Sequence, residues 1–166
     1  MKYRLVKEND ASAYLEFFQS VTSETDNLAC SAKEAEQLTV KDERDFISNL
    51  NDSGSFSVIA ANDDSICGSC DIRIQNRERL RHRAEMGIAV RKEYWGTGVA
   101  QHVLEEAIAE AKRRGIRIIY LTVRADNKRA IEFYKRNGFE FSGVHRMLFC
   151  IGGNYVDGEQ YELLLK

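Results

Sequence analysis

Tyr94-Trp95-Gly96-Thr97-Gly98-Val99-Ala100 lies directly after an alternating apolar run, Met86-Gly87-Ile88-Ala89-Val90, and directly before an amphipathic helical pattern. A glycine-rich turn between a strand and a helix leaves backbone N–H groups free at the positive end of the helix dipole. Glycine at 96 and 98 removes the Cβ atoms that would hold a phosphate away from those donors. The helix is expected over 97–114. Val99, Ala100, Val103, Leu104, Ala107, Ile108 and Ala111 form its apolar stripe, with Glu105, Glu106, Glu110 and Lys112 outside it. Lys112, Arg113 and Arg114 suit its C-terminal dipole, and Gly115 supplies the stop. The turn points to a ligand that carries phosphate.

Two common phosphate binders do not fit. A nucleotide P-loop ends Gly-Lys-Ser/Thr, whereas Gly98 is followed by Val99-Ala100. The dinucleotide fingerprint needs a third glycine where this chain has Gln101. A plain strand-to-helix turn would also explain a lone G-x-G, so the downstream segment decides. Leu121-Thr-Val-Arg-Ala-Asp-Asn-Lys-Arg-Ala-Ile-Glu-Phe-Tyr-Lys-Arg-Asn-Gly-Phe139 reads as a strand, a cap at Asp126 or Asn127, a short helix and a stop at Gly138.

Together the two segments resemble the GCN5-related N-acetyltransferase (GNAT) family. Its cofactor signature, Q/R-x-x-G-x-G/A, corresponds to Trp95-Gly96-Thr97-Gly98-Val99-Ala100, with Trp95 in place of the first Gln or Arg. Its later pattern, N-x-x-A-x-x-x-Y-x-x-x-G-F, matches Asn127, Ala130, Tyr134, Gly138 and Phe139 without a gap. The aromatic at 95 is similar to the branch holding ribosomal-protein N-terminal acetyltransferases and several small-molecule N-acetyltransferases. The resemblance is strong over the second half of the chain and covers the first half only in its order of elements. It implies an α/β fold with a mostly antiparallel, seven-stranded mixed sheet, a splayed central parallel pair and helices on both faces.

Composition sets the frame. A length of 166 residues with 43% hydrophobic content suits one domain, residues 1–166, with a real core. The net charge of −2 gives no bulk attraction to nucleic acid or to anionic membranes. The N-terminus lacks the apolar run of a signal peptide, and no stretch approaches the ~18 apolar residues of a membrane span. A cytoplasmic location is expected. Cys67-Gly-Ser-Cys70 has CxxC spacing, but no second pair completes a metal set, and strand positions 67 and 70 point to opposite faces. Buried, reduced strand cysteines are the expectation, with no metal.

Along the chain, residues 2–6 alternate as a first strand, and Asn9-Asp10 would cap a helix carrying Tyr14, Leu15 and Phe18 on one side. Residues 22–32 are polar and irregular, placing a loop near the acceptor. A second helix is expected over about 33–50, then a turn at Asn51–Gly54. Ser55–Ala61 and Ser65–Ile74 form a hairpin across Asn62-Asp63-Asp64. Ala84–Val90 is the fourth strand and Ile116–Val123 the fifth. Glu140–Ile151 and Asn154–Leu165 close the sheet as an antiparallel pair.

The resemblance implies acetyl transfer from acetyl-CoA to a primary amine through a ternary complex, with each chemical need given a residue. Backbone N–H groups of Gly96, Thr97, Gly98, Val99 and Ala100 would hold the pyrophosphate. The pantetheine arm would run beside Ile88, Ala89 and Val90 like an added strand, with Asn127 and Ala130 also on the cofactor. Gly87 reads as a bulge, a close backbone approach, or a gap-filling residue in a packed sheet. Tyr134 is the candidate acid for the departing thiolate, or else a core residue of its helix. Asn127 is either a cofactor contact or an ordinary cap. Glu85 is the candidate base, direct or through water, or else a solvated or ion-paired strand carboxylate. Arg73, Arg77, Arg79, Arg81, His82 and Arg83 form either a solvated hairpin or a selector of anionic partners. The acceptor stays open among a protein N-terminus, an amino acid or other small amine, a polyamine and an aminoglycoside-like molecule, and a homodimer is compatible with the resemblance. Two other classes compete: an acyl-CoA sensor without efficient catalysis, and a nucleic-acid binder.

Overall fold

A computed structural model describes residues 1–63 and 65–166. Seven strands form one sheet: β1 (Lys2–Leu5), β2 (Phe56–Asn62), β3 (Ser65–Ile74), β4 (Arg83–Val90), β5 (Ile118–Arg124), β6 (Glu140–Ile151) and β7 (Asn154–Leu164). Their order is β1-β2-β3-β4-β5-β7-β6, antiparallel throughout except for β4 with β5. The helices are α1 (Ala11–Glu24), α2 (Ala32–Ala35), α3 (Val40–Asp52), α4 (Val99–Arg113) and α5 (Lys128–Arg136). The turn expected at 62–64 includes Asp64, which lies outside the described residues.

Each face of the sheet carries its own apolar layer, because strand side chains alternate. On one face Phe17, Val21, Ile47, Ile59 and Ile66 pack α1 and α3 onto the sheet. On the other, Val103, Leu104, Ala107, Ile119 and Ile131 pack α4 and α5. Cys70 lies in the second layer, and Cys67 and Cys70 are both buried free thiols.

Several local expectations are corrected. Asp10 stands at the N-cap of α1 but its side chain makes no capping bond to that helix. Its carboxylate forks with Arg4 at 2.7 Å on both oxygens and accepts from Lys7 N at 2.8 Å, so it closes a 3-10 turn (Glu8–Asp10) ahead of the helix. The buried face of α1 is Ala11, Tyr14, Phe17, Val21 and Thr22, with Leu15 and Phe18 at its margins. The irregular segment starts only after Glu24. The single helix expected over 33–50 is two, because Thr39 and Asp42 form a reciprocal capping box that starts α3 afresh. Gly87 is not a bulge: β3 and β4 stay in register from Gly68↔Val90 to Ile74↔Ala84.

Candidate active site

The site begins where β4 and β5 part. They pair only at Arg83↔Ile118, Ala84↔Ile119 and Glu85↔Tyr120, after which Met86–Val90 face no neighbouring strand on that side. Antiparallel pairing alternates the direction of main-chain groups. Arg91 N donates to Cys67 O at 2.9 Å and Gln75 N to Arg83 O at 3.2 Å, which places the odd-numbered β4 residues on the β3 side. Met86, Ile88 and Val90 therefore present their main-chain groups to the gap. Ala89, expected on the cofactor, spends its own on β3.

The turn after β4 is tied down from both sides. Lys92 N donates to Glu24 Oε2 at 2.6 Å, anchoring the turn to the end of α1. At Gly68 an added Cβ would meet Val99 Cγ1 at 3.0 Å and Val90 Cγ2 at 3.1 Å, so the missing side chain lets the start of α4 sit directly on β3. Gly96 and Gly98 take φ of +80° and +93°, a left-handed backbone that a side chain would strain. The Gly98 conformation ends the turn and starts α4 at Val99, two residues later than expected. Thr97 is the exception among the expected donors. Its N–H donates to Tyr94 O at 3.3 Å and its hydroxyl to the same carbonyl at 2.7 Å, which leaves Gly96, Gly98, Val99 and Ala100 to face a ligand.

Trp95 bridges the mouth of the gap. Its Nε1–H donates to Val90 O at 2.8 Å, and the Arg129 guanidinium stacks 4.5 Å from its ring centre. This contact joins β4 to α5 and occupies one of the main-chain acceptors on the open edge. Sequence reasoning did not find Arg129, because nothing local in Lys128-Arg129 marks a stacking partner.

Opposite β4, α5 contributes Asn127, Ala130 and Tyr134, which all line a cleft of about 960 Å3. Asn127 caps α5, its Oδ1 accepting from Ala130 N at 3.3 Å, so the cap reading is met while its Nδ2 stays available. Gly138 stops α5, and Phe139 N donates back to Tyr134 O at 3.1 Å. Phe133 and Phe139 hold the Tyr134 ring edge-on at 5.7 Å. The Tyr134 hydroxyl bonds no protein group among the described residues, yet it is not sealed from solvent. Burial, with the Cys70 thiol behind it, pushes its pKa well up, so the phenol keeps its proton at neutral pH.

Glu85 stands at the last β4–β5 pair and lines the same cleft, half-buried, with Arg73 beside it on β3. The far arm of the cleft holds groups that the sequence did not single out. Tyr14 OH donates to Asp71 Oδ1 at 3.0 Å and lies 3.4 Å from Ser69 Oγ. Loss of water raises the Asp71 pKa and lifts that of Tyr14 well above the ordinary phenol range. Glu43, buried on α3 behind them, is pushed up to about 7, first by burial and then by the Asp71 and Asp42 charges. Only Tyr14 had a local signal, and it read as a core position of an amphipathic helix. Phe149 reaches the cleft because β6 bulges between His145 and Phe149, with Met147 at φ +52°. The basic run scatters: Arg83 pairs with Glu162 at 2.6 Å, and Arg77, Arg79 and Arg81 are exposed.

Comparison with known proteins decides the family. The model of the acetyltransferase (GNAT) family matches residues 17–139. The chain belongs to the GNAT family. The match extends into α1, well ahead of the motifs that carry the resemblance in sequence. An L-amino acid N-acetyltransferase of Escherichia coli is 36% identical over 106 residues, 63% of this chain and 65% of that protein. N-alpha-acetyltransferase 30 of Schizosaccharomyces pombe is 34% identical over 86 residues, 51% of this chain and 57% of that protein. The chain thus spans less than two thirds of these curated relatives. A GNAT acetyltransferase of Streptococcus pneumoniae superposes with a TM-score of 0.90 at 28% identity, covering 98% of both chains. The yncA protein of Salmonella typhimurium, solved with its cofactor acetyl-CoA, superposes at 0.87 over 99% of this GNAT chain and 94% of that one, at 16% identity. The mixed sheet with its diverging parallel pair is the family's fold. No helix among the described residues of this GNAT protein is long and apolar enough to cross a membrane.

Proposed function

We propose that this protein transfers the acetyl group of acetyl-CoA to a primary amine, acting through one ternary complex in a domain spanning residues 1–166. The observation that carries the reading is the gap beyond Glu85, with open main-chain groups on one wall and the Tyr134 hydroxyl on the other. The turn fits a pyrophosphate because both glycines are left-handed and an added Cβ at Gly96 meets no protein atom within 4 Å. Main-chain N–H groups of Gly96, Gly98, Val99 and Ala100, with the α4 dipole, would hold it. Met86 and Ile88 offer donors and acceptors for the amides of the pantetheine arm.

Acetyl-CoA would supply an activated thioester at the divergence point. Glu85, directly or through a water, takes the proton of the attacking amine, so that a C–N bond forms as the C–S bond breaks. Tyr134 returns a proton to the departing sulfur. The loss of water that disfavours a tyrosinate also disfavours a free thiolate leaving beside it, which favours passing the phenol proton to the sulfur as the C–S bond breaks. Amine acceptors are supported by the relatives' names, which include an L-amino acid and a ribosomal-protein alanine N-acetyltransferase.

Thiol release from acetyl-CoA, measured across amines and peptides with calorimetry of coenzyme binding, tests the reading. Amine-dependent release with tight binding is expected. Binding without release would reassign the protein as an acyl-CoA sensor, and absence of binding would remove the cradle itself.

A further inference from the structure

On the α1 face of the sheet, Ser69, Asp71 and Arg73 of β3 stand opposite Ala89, Gly87 and Glu85 of β4. Cross-strand neighbours sit about 5 Å apart, and same-face neighbours along one strand about 7 Å. Arg73 is therefore flanked by two carboxylates, Asp71 on its own strand and Glu85 across from it. Yet none of the ion pairs among the described residues engages Arg73, Asp71 or Glu85. All three line the cleft. Asp71 is also fixed in place, because Tyr14 donates to it from α1.

Gly87 links this trio to the reaction point. It is the strand partner of Asp71, and a Cβ built there meets nothing within 4 Å. The space beside Asp71 thus runs directly to the point where β4 leaves β5. The amine to be acetylated must stand there. A cationic centre between two anionic ones complements a molecule with one carboxylate a few ångströms from one ammonium. Phe18 and Leu28 line the same cleft as an apolar wall for a side chain.

We infer that the acceptor arm takes a free α-amino acid, with Arg73 gripping its carboxylate and Asp71 and Glu85 flanking its ammonium beside Gly87. This rests on the acetyl-transfer reading and narrows its acceptor class. The first residue of a peptide has an amide where a free amino acid has its carboxylate, so it leaves Arg73 without an anion to hold. Guanidinium and carboxylate match as a two-pronged pair, which an amide cannot reproduce.

The test compares α-amino acids, their amides and peptides starting with the same residue, for instance leucine, leucinamide and a leucine-initiated tripeptide, by thiol release. The wild-type protein should favour amino acids over their amides by about tenfold or more in kcat/KM, through KM. Arg73→Gln should raise the amino-acid KM by about tenfold to a hundredfold and bring the acid-to-amide ratio to about one. Arg73→Lys should restore part of the ratio. Arg73 is exposed, so its variants keep the fold; Asp71→Asn, checked by thermal melting, should raise KM for acids and amides alike. Equal use of acids and amides by the wild type, or a preference that survives Arg73→Gln, overturns the inference and leaves acetyl transfer standing. Absence of release with every amine overturns both.

Discussion

The two arms of the cleft are built from different parts of the chain. The arm proposed for the cofactor is mostly backbone: the open edge of β4, two left-handed glycines and the first turn of α4, all within residues 86–101. The acceptor arm is mostly side chains, and Tyr14 and Asp71 meet there across 57 positions of sequence. Backbone recognition needs only that certain side chains be absent, so it tolerates variation elsewhere. Side-chain recognition needs particular groups to converge, so it is specific and easily retuned. A family sharing one donor and many acceptors would be expected to divide its cleft this way.

The largest effect expected is at the junction of the arms. Tyr134→Phe should lower kcat by about 10²–10⁴ while leaving coenzyme affinity unchanged, since it removes a proton donor and little volume. Steady-state kinetics with calorimetry checks it. An equal loss in binding would make Tyr134 part of the cofactor arm instead.

Next is the backbone itself. Gly98→Val should weaken CoA binding about a hundredfold, because φ of +93° is strained for a branched residue and relieving it moves the turn's N–H groups. The strain should also cost roughly 1–2 kcal/mol of folding stability. Normal affinity in a folded Gly98→Val protein would show that the cradle lies elsewhere.

The asymmetry between the arms also explains what could be read in advance. The glycine turn and the Asn127–Phe139 pattern were legible because each is a short run whose spacing alone carries the constraint. The β-strands and the α4 stripe were legible for the same reason. Thr97 and Ala89 could not be told from their neighbours in sequence, because strand parity and a local turn hydrogen bond decide which amides face the gap. The Asp71–Tyr14–Glu43 group was invisible because each member reads as an ordinary strand, core or helix-surface residue until β3, α1 and α3 are packed. Phe149 needed a bulge that no sequence signal announces.

A third effect separates the arms by pH. Glu43 keeps its proton to about 7 in the folded protein, against 4.5 for an unperturbed glutamate. Between those values the folded state holds a proton that the unfolded chain has released, so the Glu43 contribution lowers stability as pH rises from about 4.5 to about 7 and adds no further slope above that. The loss should be on the order of 1–3 kcal/mol. In Glu43→Gln this contribution should be lost, so that denaturant melts across that range show a measurably less negative slope than the wild type. An unchanged slope would place the titrating group elsewhere on the molecule.

The smallest effect probes the side chain at the mouth of the cofactor arm. Trp95→Phe keeps an aromatic face for Arg129 but deletes the indole N–H that bonds Val90 O. A single net hydrogen bond contributes about 0.5–1.5 kcal/mol, so CoA affinity should change by less than about tenfold. Freeing the Val90 carbonyl returns an acceptor to the open edge of β4, which offsets part of the loss. Because this is the chain's only tryptophan, its fluorescence should respond to CoA in the wild type and in Tyr134→Phe alike. If Trp95→Phe instead cost as much as Gly98→Val, the cofactor arm would depend on a convergent side chain after all. The division between a backbone arm and a side-chain arm would then fail at its mouth, where β4, the turn and α5 meet.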